Sequence, residues 1–209
     1  MKVVAINGSP KANGNTAYAI KVVFEQLESE GIETEIIHVG NQIVRGCAGC
    51  NMCAKNQDEK CVLKGDKLNE WLQIMKDADG LIFASPIYFS GVAGTMKSFM
   101  DRAFYVAGVN GSMFRHKVGA SVVAVRRTGG MPAFQELNNY IHYSEMVVST
   151  SNYWNVIHGT MPGDAEKDLE GNQIMRMLGK NMAWLLKSLN QSTVPKPEAE
   201  KKIFTNFVR

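Results

Sequence analysis

All four cysteines of the 209-residue chain lie in one short window, at Cys47, Cys50, Cys53 and Cys61. Their spacing is C-x2-C-x2-C-x7-C. Three thiols placed three residues apart can turn toward a common centre, and the fourth follows closely enough to loop back to it. Thiolates are soft ligands that suit iron–sulfur clusters. The window therefore predicts a site for a [4Fe–4S] cluster.

Two other interpretations of the cysteines stay open. Zinc sites usually take two cysteine pairs separated by about a dozen residues or more, so this spacing suits zinc less well. The four side chains are also compatible with free thiols in a loop that holds no metal. The choice among cluster, zinc and free thiols needs evidence beyond the spacing.

A second group of polar residues follows the first apolar segment. The run Gly8-Ser9-Pro10-Lys11-Ala12-Asn13-Gly14-Asn15-Thr16 precedes a helical pattern. Backbone N–H groups at a helix start bind anions, and the hydroxyl and amide side chains add donors. A Walker loop would need glycine at position 13, and a dinucleotide fingerprint would need glycine at position 10. The run predicts a site for a terminal monophosphate; the alternative is a turn that only joins two elements.

Two later loops complete the set of distinctive segments. Ser85-Pro86-Ile87-Tyr88-Phe89 follows one apolar segment, and Thr128-Gly129-Gly130 follows another. The proline fixes its own φ and favours extended backbone before it, so the first loop presents a rigid wall. The two aromatic rings offer flat apolar area for a ligand, although core filling at a strand end is the alternative.

These loops need a scaffold, and the apolar pattern supplies one. Short runs rich in Val and Ile alternate with segments of helical periodicity. They predict strands over 2–7, 32–39, 80–84, 117–125 and 146–149, and helices over 16–30, 67–78, 95–104, 133–144 and 164–189. The alternation predicts an α/β fold, a flavodoxin-like five-stranded parallel sheet of order 2-1-3-4-5 with helices on both faces. We expect one domain over 1–190, a cysteine-rich loop inserted at 41–66, and a C-terminal tail over 191–209.

In such a sheet, ligands bind beyond the carboxyl ends of the strands, where the strand order reverses. The loops after Asn7, Ala84 and Val125 are therefore expected to share one pocket.

Composition narrows the class of protein. The net charge is +3, and no long basic or acidic block indicates a nucleic-acid partner. The adjacent charges of Asp101 and Arg102 are interpreted as a structural ion pair on a helix. The sequence contains no secretory signal pattern and no apolar stretch of the roughly 20 residues that a membrane span requires. Cysteines gathered in one window are typical of metal or redox sites rather than structural disulfides, which favours a cytoplasmic location.

Taken together, the motifs resemble the NAD(P)H-dependent FMN reductase branch of the flavodoxin-like superfamily, over about residues 2–190. The cysteine window is similar to the compact cluster motif of iron–sulfur flavoproteins. The resemblance implies non-covalent FMN, with Ser9, Lys11, Asn13, Asn15 and Thr16 around its phosphate. It also implies that Pro86, Ile87, Tyr88, Phe89 and Ser90 run along the isoalloxazine, and that Thr128, Gly129 and Gly130 line its other edge.

The predicted activity is that of an FMN-dependent oxidoreductase. Electrons would come from NAD(P)H or a ferredoxin-like donor and pass to a quinone or another small acceptor, with Cys47, Cys50, Cys53 and Cys61 as cluster ligands. No catalytic side chain is predicted, because a flavin carries the chemistry itself. The alternatives are a clusterless NAD(P)H:quinone or azo reductase, a flavodoxin-type electron carrier, and a thiol-based metal or redox sensor. The resemblance also implies a homodimer or homotetramer.

Overall fold

The computed structural model describes residues 1–200 and 202–205. Within these residues, seven strands and six α-helices follow one another along the chain. In order they are β1 (Lys2–Asn7), α1 (Asn15–Ser29), β2 (Glu33–His38), α2 (Met52–Asn56), α3 (Leu68–Asp77), β3 (Gly80–Tyr88), β4 (Gly91–Val92), α4 (Gly94–Val109), β5 (Val118–Val125), α5 (Gly130–Tyr143), β6 (Val147–Val148), β7 (Val156–His158) and α6 (Leu169–Gln191).

The sheet has the predicted flavodoxin-like topology but more strands than predicted. Its path is β2-β1-β3-β5-β6, and all four pairings along it are parallel. This path corresponds to the predicted order 2-1-3-4-5. The prediction of five strands is wrong, because β4 forms a hairpin with β3 and β7 pairs with β5.

The two missed strands, β4 and β7, contain only two and three residues and lack a clear periodic pattern. Strand β6 pairs with the start of β5, whereas β7 pairs with Val123–Val125 at its end. Strands β6 and β7 therefore lie beside opposite ends of β5, and residues 149–155 form a loop between them. Two or three residues do not show the alternation that identifies a strand from sequence.

Alternate side chains of each strand enter two separate apolar layers, as the period of two requires. In β1, Val4 and Ile6 pack with α3, α4 and α5, while Val3 and Ala5 pack with α1 and α6. The sheet is thus covered on both faces, which explains why the central strand β5 is buried along its whole length.

Strand β3 is longer than the predicted 80–84 and runs through Pro86. The Gly8 N–H donates to the carbonyl of Ala84 at 2.8 Å, so the backbone polar groups of residue 84 point toward β1. Those of residue 86, two positions later, point to the same side. Strand β1 ends at Asn7, one residue before that contact. Proline is therefore accommodated, since its missing N–H lies where no neighbouring strand requires it.

The helix ends differ from prediction for local reasons. Helix α5 begins at Gly130, so Pro132 is its third residue, where a missing N–H breaks no intrahelical bond. The predicted helix over 164–189 is divided into a 3-10 turn at Asp164–Lys167 and α6. Asp168 caps α6 by accepting a hydrogen bond from the Gly171 N–H at 2.9 Å.

The predicted tail over 191–209 begins within α6, which ends at Gln191. After that end, Arg115 donates to the carbonyl of Pro197 at 3.0 Å, which places part of the tail beside β5. Residue 201 and residues 206–209 lie outside the described residues. No helix in the described ranges combines the length and apolar character needed to cross a membrane.

Candidate functional site

Hydrogen bonds within its first half hold the loop between β1 and α1. The backbone N–H of Ser9 donates to the Asn7 side-chain oxygen at 2.9 Å, and the Lys11 N–H donates to the Ser9 hydroxyl at 3.2 Å. Ser9 is buried. Since these bonds fix the loop before any ligand binds, its donors are pre-positioned at the carboxyl end of β1.

Residues at the end of β2 and just after it pack against the same loop. The His38 Nε2 lies 2.7 Å from the carbonyl oxygen of Ser9. Gly40 packs so closely that an added Cβ would lie 2.1 Å from that oxygen and 2.5 Å from the carbonyl carbon of Gly8. Only glycine fits at position 40 without moving the loop.

Helix α1 starts directly after the loop and presents free donors. Gly14 is its N-cap, and in the described part of the chain no side chain caps this end. The first N–H groups of a helix have no intrahelical acceptor, so those of Asn15, Thr16 and Ala17 are available to a ligand. Uncapped amides at a helix start suit an anion such as a phosphate monoester.

Four segments line one cavity of about 220 Å³, here called the switch-point cavity because it lies where the strand order reverses. The β1–α1 loop, the end of β3 and the end of β5 all contribute, as predicted, and the segment after β7 contributes as well. The lining residues are Ser9, Lys11, Gly14, Asn15, Thr16, Pro86, Ile87, Tyr88, Ala124, Arg126, Gly159, Thr160 and Pro162.

Some predicted site residues lie elsewhere. Asn13 is exposed and outside the lining, and Phe89 projects fully into solvent at the tip of the β3–β4 hairpin. Asn15 lines the cavity, but its side-chain oxygen accepts a hydrogen bond from the Ala165 N–H at 3.3 Å. The side chain of Asn15 therefore ties α1 to the turn before α6, in addition to any role toward a ligand.

The predicted residues Thr128, Gly129 and Gly130 line a neighbouring cavity of about 250 Å³, here called the edge cavity because it lies beside β7. An added Cβ on Gly129 would lie 2.6 Å from the Ser90 hydroxyl, so the loops after β3 and β5 touch there. Tyr153 and Trp154 close the other side, with ring centroids 4.6 Å apart. The predicted flavin-edge residues thus adjoin the switch-point cavity without lining it.

The β3–β4 hairpin carries backbone strain. Phe89 and Ser90 are its two central residues, with φ values of 49° and 62°. A two-residue hairpin turn of this type requires positive φ at both positions, and glycine or asparagine adopts that conformation more readily than phenylalanine. A bulky residue is held here without any packing of its ring, which is exposed.

Replacing Phe89 with glycine is expected to raise the free energy of unfolding by about 0.5–1 kcal/mol, because glycine adopts positive φ without steric cost. Urea unfolding should show a higher midpoint with an unchanged slope. Phe89→Ala is the control, since it removes the ring but keeps the strained backbone. An equal gain from Phe89→Ala would place the effect in the ring instead.

The predicted site residues do not include five that line the switch-point cavity, which are Ala124, Arg126, Gly159, Thr160 and Pro162. Arg126 lies directly after β5, and its guanidinium offers a charged partner for a phosphate. Gly159 and Thr160 follow β7, the strand that sequence periodicity did not reveal. Arg126 could have been found from its place at a strand's carboxyl end, whereas Gly159 and Thr160 depended on recognising β7.

All four cysteines line a third, smaller cavity between the inserted loop and α4, here called the cysteine cavity. Cys47 and Cys50 are exposed, Cys61 is partly buried, and Cys53 is buried within α2. Burial raises the pKa of the Cys53 thiol. All four cysteines thus line one cavity at different depths.

The inserted loop is anchored to α4 along its length. Tyr105 donates its hydroxyl hydrogen to Asn51, and Gln57 donates to the carbonyl of Val109 at 2.7 Å. Asn110 accepts from the Glu59 N–H at 3.0 Å. A long segment with little secondary structure is thus ordered by side chains of one helix.

Arg102 makes the deepest of these contacts. The sequence pattern favours an ion pair between Asp101 and Arg102, but that pairing is wrong: Arg102 pairs with Asp66, and Asp101 pairs with Lys97 at 2.6 Å. Burial by itself lowers the pKa of the Arg102 guanidinium, but hydrogen bonds to Asp66 and Cys61 raise it overall. The cysteine cavity therefore contains a permanent buried cation.

The donor set fits an iron–sulfur cluster in chemistry. Four soft thiols share one cavity, and a buried guanidinium stands ready to offset the negative charge of a thiolate-bound cluster. Within the described ranges, however, no group of three or more Cys, His, Asp or Glu side chains is close enough to hold a metal ion. The cysteines are gathered but not closed into a ligand shell, so their role as ligands stays a prediction.

The chain is similar to known proteins over most of its length. Residues 1–160 match the family model of NADPH-dependent FMN reductases. The chain is 36% identical over 198 residues to an iron–sulfur flavoprotein of Methanocaldococcus jannaschii, covering 91% of this chain and 100% of that protein.

Two solved structures are similar in fold. The crystal structure of RosB with bound 8-demethyl-8-formylriboflavin 5′-phosphate gives a TM-score of 0.75 at 18% identity, covering 100% of this chain and 92% of that chain. A flavodoxin from the domain Archaea gives a TM-score of 0.58 at 17% identity, covering 90% and 99%. They confirm the flavodoxin-like fold class. The family match over residues 1–160 and the similarity to the iron–sulfur flavoprotein show the family. The chain belongs to the NADPH-dependent FMN reductase family of FMN-dependent oxidoreductases, in the branch that includes the iron–sulfur flavoproteins.

Proposed function

We propose that this protein takes electrons from NAD(P)H or a ferredoxin-like donor and passes them, through FMN and a [4Fe–4S] cluster, to a quinone or another small acceptor. The observation that carries the proposal is the convergence of the β1–α1 loop, the end of β3 and Arg126 on the switch-point cavity. The relative named as an iron–sulfur flavoprotein supports the cluster part of the proposal.

The residues around the cavity divide the work of holding FMN. The uncapped amides of α1, with Ser9 and Thr16, would bind the phosphate, and Lys11 and Arg126 would neutralise its charge. When bound, FMN supplies hydride and single-electron chemistry that no side chain here provides.

The wall of the cavity is rigid because Ser85 is bonded twice. Its hydroxyl donates to the Pro86 carbonyl at 2.7 Å and accepts from the Ala93 N–H at 3.0 Å. These bonds fix the segment that leads to Ile87 and Tyr88, so a flat ring placed there would meet a preformed surface. The half-exposed ring of Tyr88 offers additional apolar area at its edge.

A ferredoxin-like donor is supported by charge around the cysteine cavity. Of the three acidic residues of the inserted loop, Glu59 and Asp66 are paired with Lys76 and Arg102, and Asp58 is exposed. The exposed cations of the inserted loop and its flank are Arg45, Lys55, Lys60, Lys64 and Lys67. A small acidic redox protein would be steered to such a rim, and the association rate would fall with ionic strength.

The proposal includes a homodimer or homotetramer and a cytoplasmic location. Leu169, Trp184 and Tyr143 expose 82%, 69% and 70% of their surface, and such side chains are common where subunits meet. All four cysteines are free thiols, as a reducing compartment favours. Light scattering tests the first point: a monomer would contradict it.

A clusterless NAD(P)H:quinone or azo reductase is the second candidate. It is favoured by the absence, in the described part of the chain, of a closed metal-ligand group. In this case the cysteines would remain thiols.

One experiment separates these functions. Protein purified without oxygen is assayed for FMN, iron and acid-labile sulfide, and then mixed with NADPH or NADH while the flavin absorbance is followed. We expect bound FMN, about four irons per chain and bleaching by a nicotinamide. FMN without iron would favour the clusterless reductase. FMN that no nicotinamide reduces would indicate an electron carrier or a protein donor, and failure to bind added FMN would contradict the proposal.

A further inference from the structure

Arg102 is the largest side chain that is fully buried in the described residues, with a relative exposure of 1%. Its Nη1 donates to the carbonyl of Arg45 at 3.1 Å, and its Nη2 donates to the Leu63 carbonyl at 3.4 Å. These two carbonyls lie just before Cys47 and just after Cys61. One side chain on α4 thus joins both ends of the cysteine segment.

The same guanidinium contacts a predicted ligand directly. Its Nη2 lies 3.4 Å from the Cys61 Sγ, within hydrogen-bond distance for sulfur. Asn69 of α3 holds the backbone of Cys61, accepting from its N–H at 2.8 Å and donating to its carbonyl at 2.9 Å. Cys61 is therefore fixed at both backbone and thiol, whereas Cys47 and Cys50 are exposed.

Fold stability alone does not explain this arrangement. A buried ion pair often contributes no more to stability than apolar residues of similar volume, because both charges lose their hydration. Here Asp66 is also buried, and the Nε of Arg102 has no hydrogen-bond partner among the described residues. An unsatisfied buried donor is costly, which points to a role that the protein's own atoms do not complete.

The structure assigns Arg102 and Asp66 as a positioning pair for the cluster, in which Arg102 orients the Cys61 thiolate and the two opposed charges set the reduction potential. This inference rests on the cluster of the proposed function. Neither residue is a ligand. Groups beside the ligands, through hydrogen bonds to sulfur and through charge, are known means of tuning such centres.

The two charges predict opposite effects. Reduction adds an electron, so removing the positive charge of Arg102 disfavours the reduced cluster and lowers its potential. Removing the negative charge of Asp66 favours the reduced cluster and raises the potential. A purely structural pair would give no such reversal, because losing either partner would only destabilise the loop.

The test is a redox titration of the anaerobically purified full chain, with iron content, FMN content and thermal midpoint measured alongside. Arg102→Gln is expected to lower the equilibrium constant for reduction of the cluster at least tenfold. For a one-electron couple this lowers the reduction potential by about 59 mV or more. Asp66→Asn is expected to shift the potential upward, and Arg102→Lys, which keeps the charge, to stay closer to the wild-type value than Arg102→Gln.

Asp101→Asn is the matched control, since it breaks a half-exposed ion pair on the same helix. Its potential should equal that of the wild type. Shifts of the same sign in Arg102→Gln and Asp66→Asn, or shifts no larger than the control's, overturn the inference.

If Arg102→Gln fails to assemble a cluster, Arg102→Lys and Asp66→Asn decide the outcome. Retained iron in Arg102→Lys with a raised potential in Asp66→Asn supports the positioning pair, and any other combination overturns it. A wild-type protein without iron contradicts the cluster itself. Loaded wild type with unshifted variants contradicts only the pair.

Discussion

Replacing Gly40 with alanine is expected to weaken FMN binding about a hundredfold. The new Cβ would lie 2.1 Å from the Ser9 carbonyl oxygen and 2.2 Å from the carbonyl carbon, both of them backbone atoms that cannot rotate away. The loop must therefore shift, and it carries the donors of the proposed phosphate site. A cost near the upper end of the usual 1–3 kcal/mol for overpacking corresponds to that loss of affinity.

The effect is measurable by titrating apoprotein with FMN and following flavin fluorescence. Gly108→Ala is the matched control, because an added Cβ there meets nothing within 4 Å. Iron content should stay unchanged in both variants, since the cysteine loop is anchored to α4 rather than to Gly40. Wild-type affinity in Gly40→Ala would show that the phosphate does not bind at this loop.

Much of the fold follows from local pattern. The five predicted strands and their order were recoverable because buried Val and Ile runs, such as that of β5, alternate with helical periodicity. Strands β4 and β7 were not recoverable, because two or three residues pair only where the tertiary structure presents a partner edge.

The site was predictable as far as topology determines it. The loops after Asn7, Ala84 and Val125 do share a cavity, because carboxyl ends of parallel strands meet at one edge. Side-chain direction was not predictable: Asn13 turns to solvent and Asn15 bonds Ala165 instead. The sequence likewise gives no sign that Gly40 must be small, since that constraint comes from a contact between two loops distant along the chain.

The cysteine site shows the same limit. Spacing placed four thiols in one segment, but the partner of Arg102 was mistaken because adjacent charges in sequence suggest a pair. On a helix, neighbouring side chains point in different directions, so Asp101 meets Lys97 one turn earlier and Arg102 turns inward to Asp66.

Cys61→Ser is expected to remove all cluster iron while leaving FMN bound. Serine is nearly isosteric but is a harder, weaker ligand for iron than a thiolate. Cys61 is held by Asn69 and Arg102, so its replacement leaves the oxygen in place and tests the ligand chemistry rather than the fold. Iron, sulfide and FMN contents of the anaerobically purified variant provide the measurement, with a zinc assay beside them.

Asn69→Ala supplies the graded comparison: it keeps all four thiols but loses both bonds to the Cys61 backbone, so we expect iron to load and to be lost faster to a chelator. Undiminished iron in Cys61→Ser would contradict the role of Cys61 as a ligand, and zinc in place of iron would identify the site as a zinc site.

Cys61→Ser and Gly40→Ala together form a reciprocal test of the two cofactor sites. Gly40→Ala is expected to lose FMN and keep iron, and Cys61→Ser to lose iron and keep FMN, because the switch-point cavity and the cysteine cavity share no lining residue. Loss of both cofactors in either variant would instead show that the two sites fold as one unit.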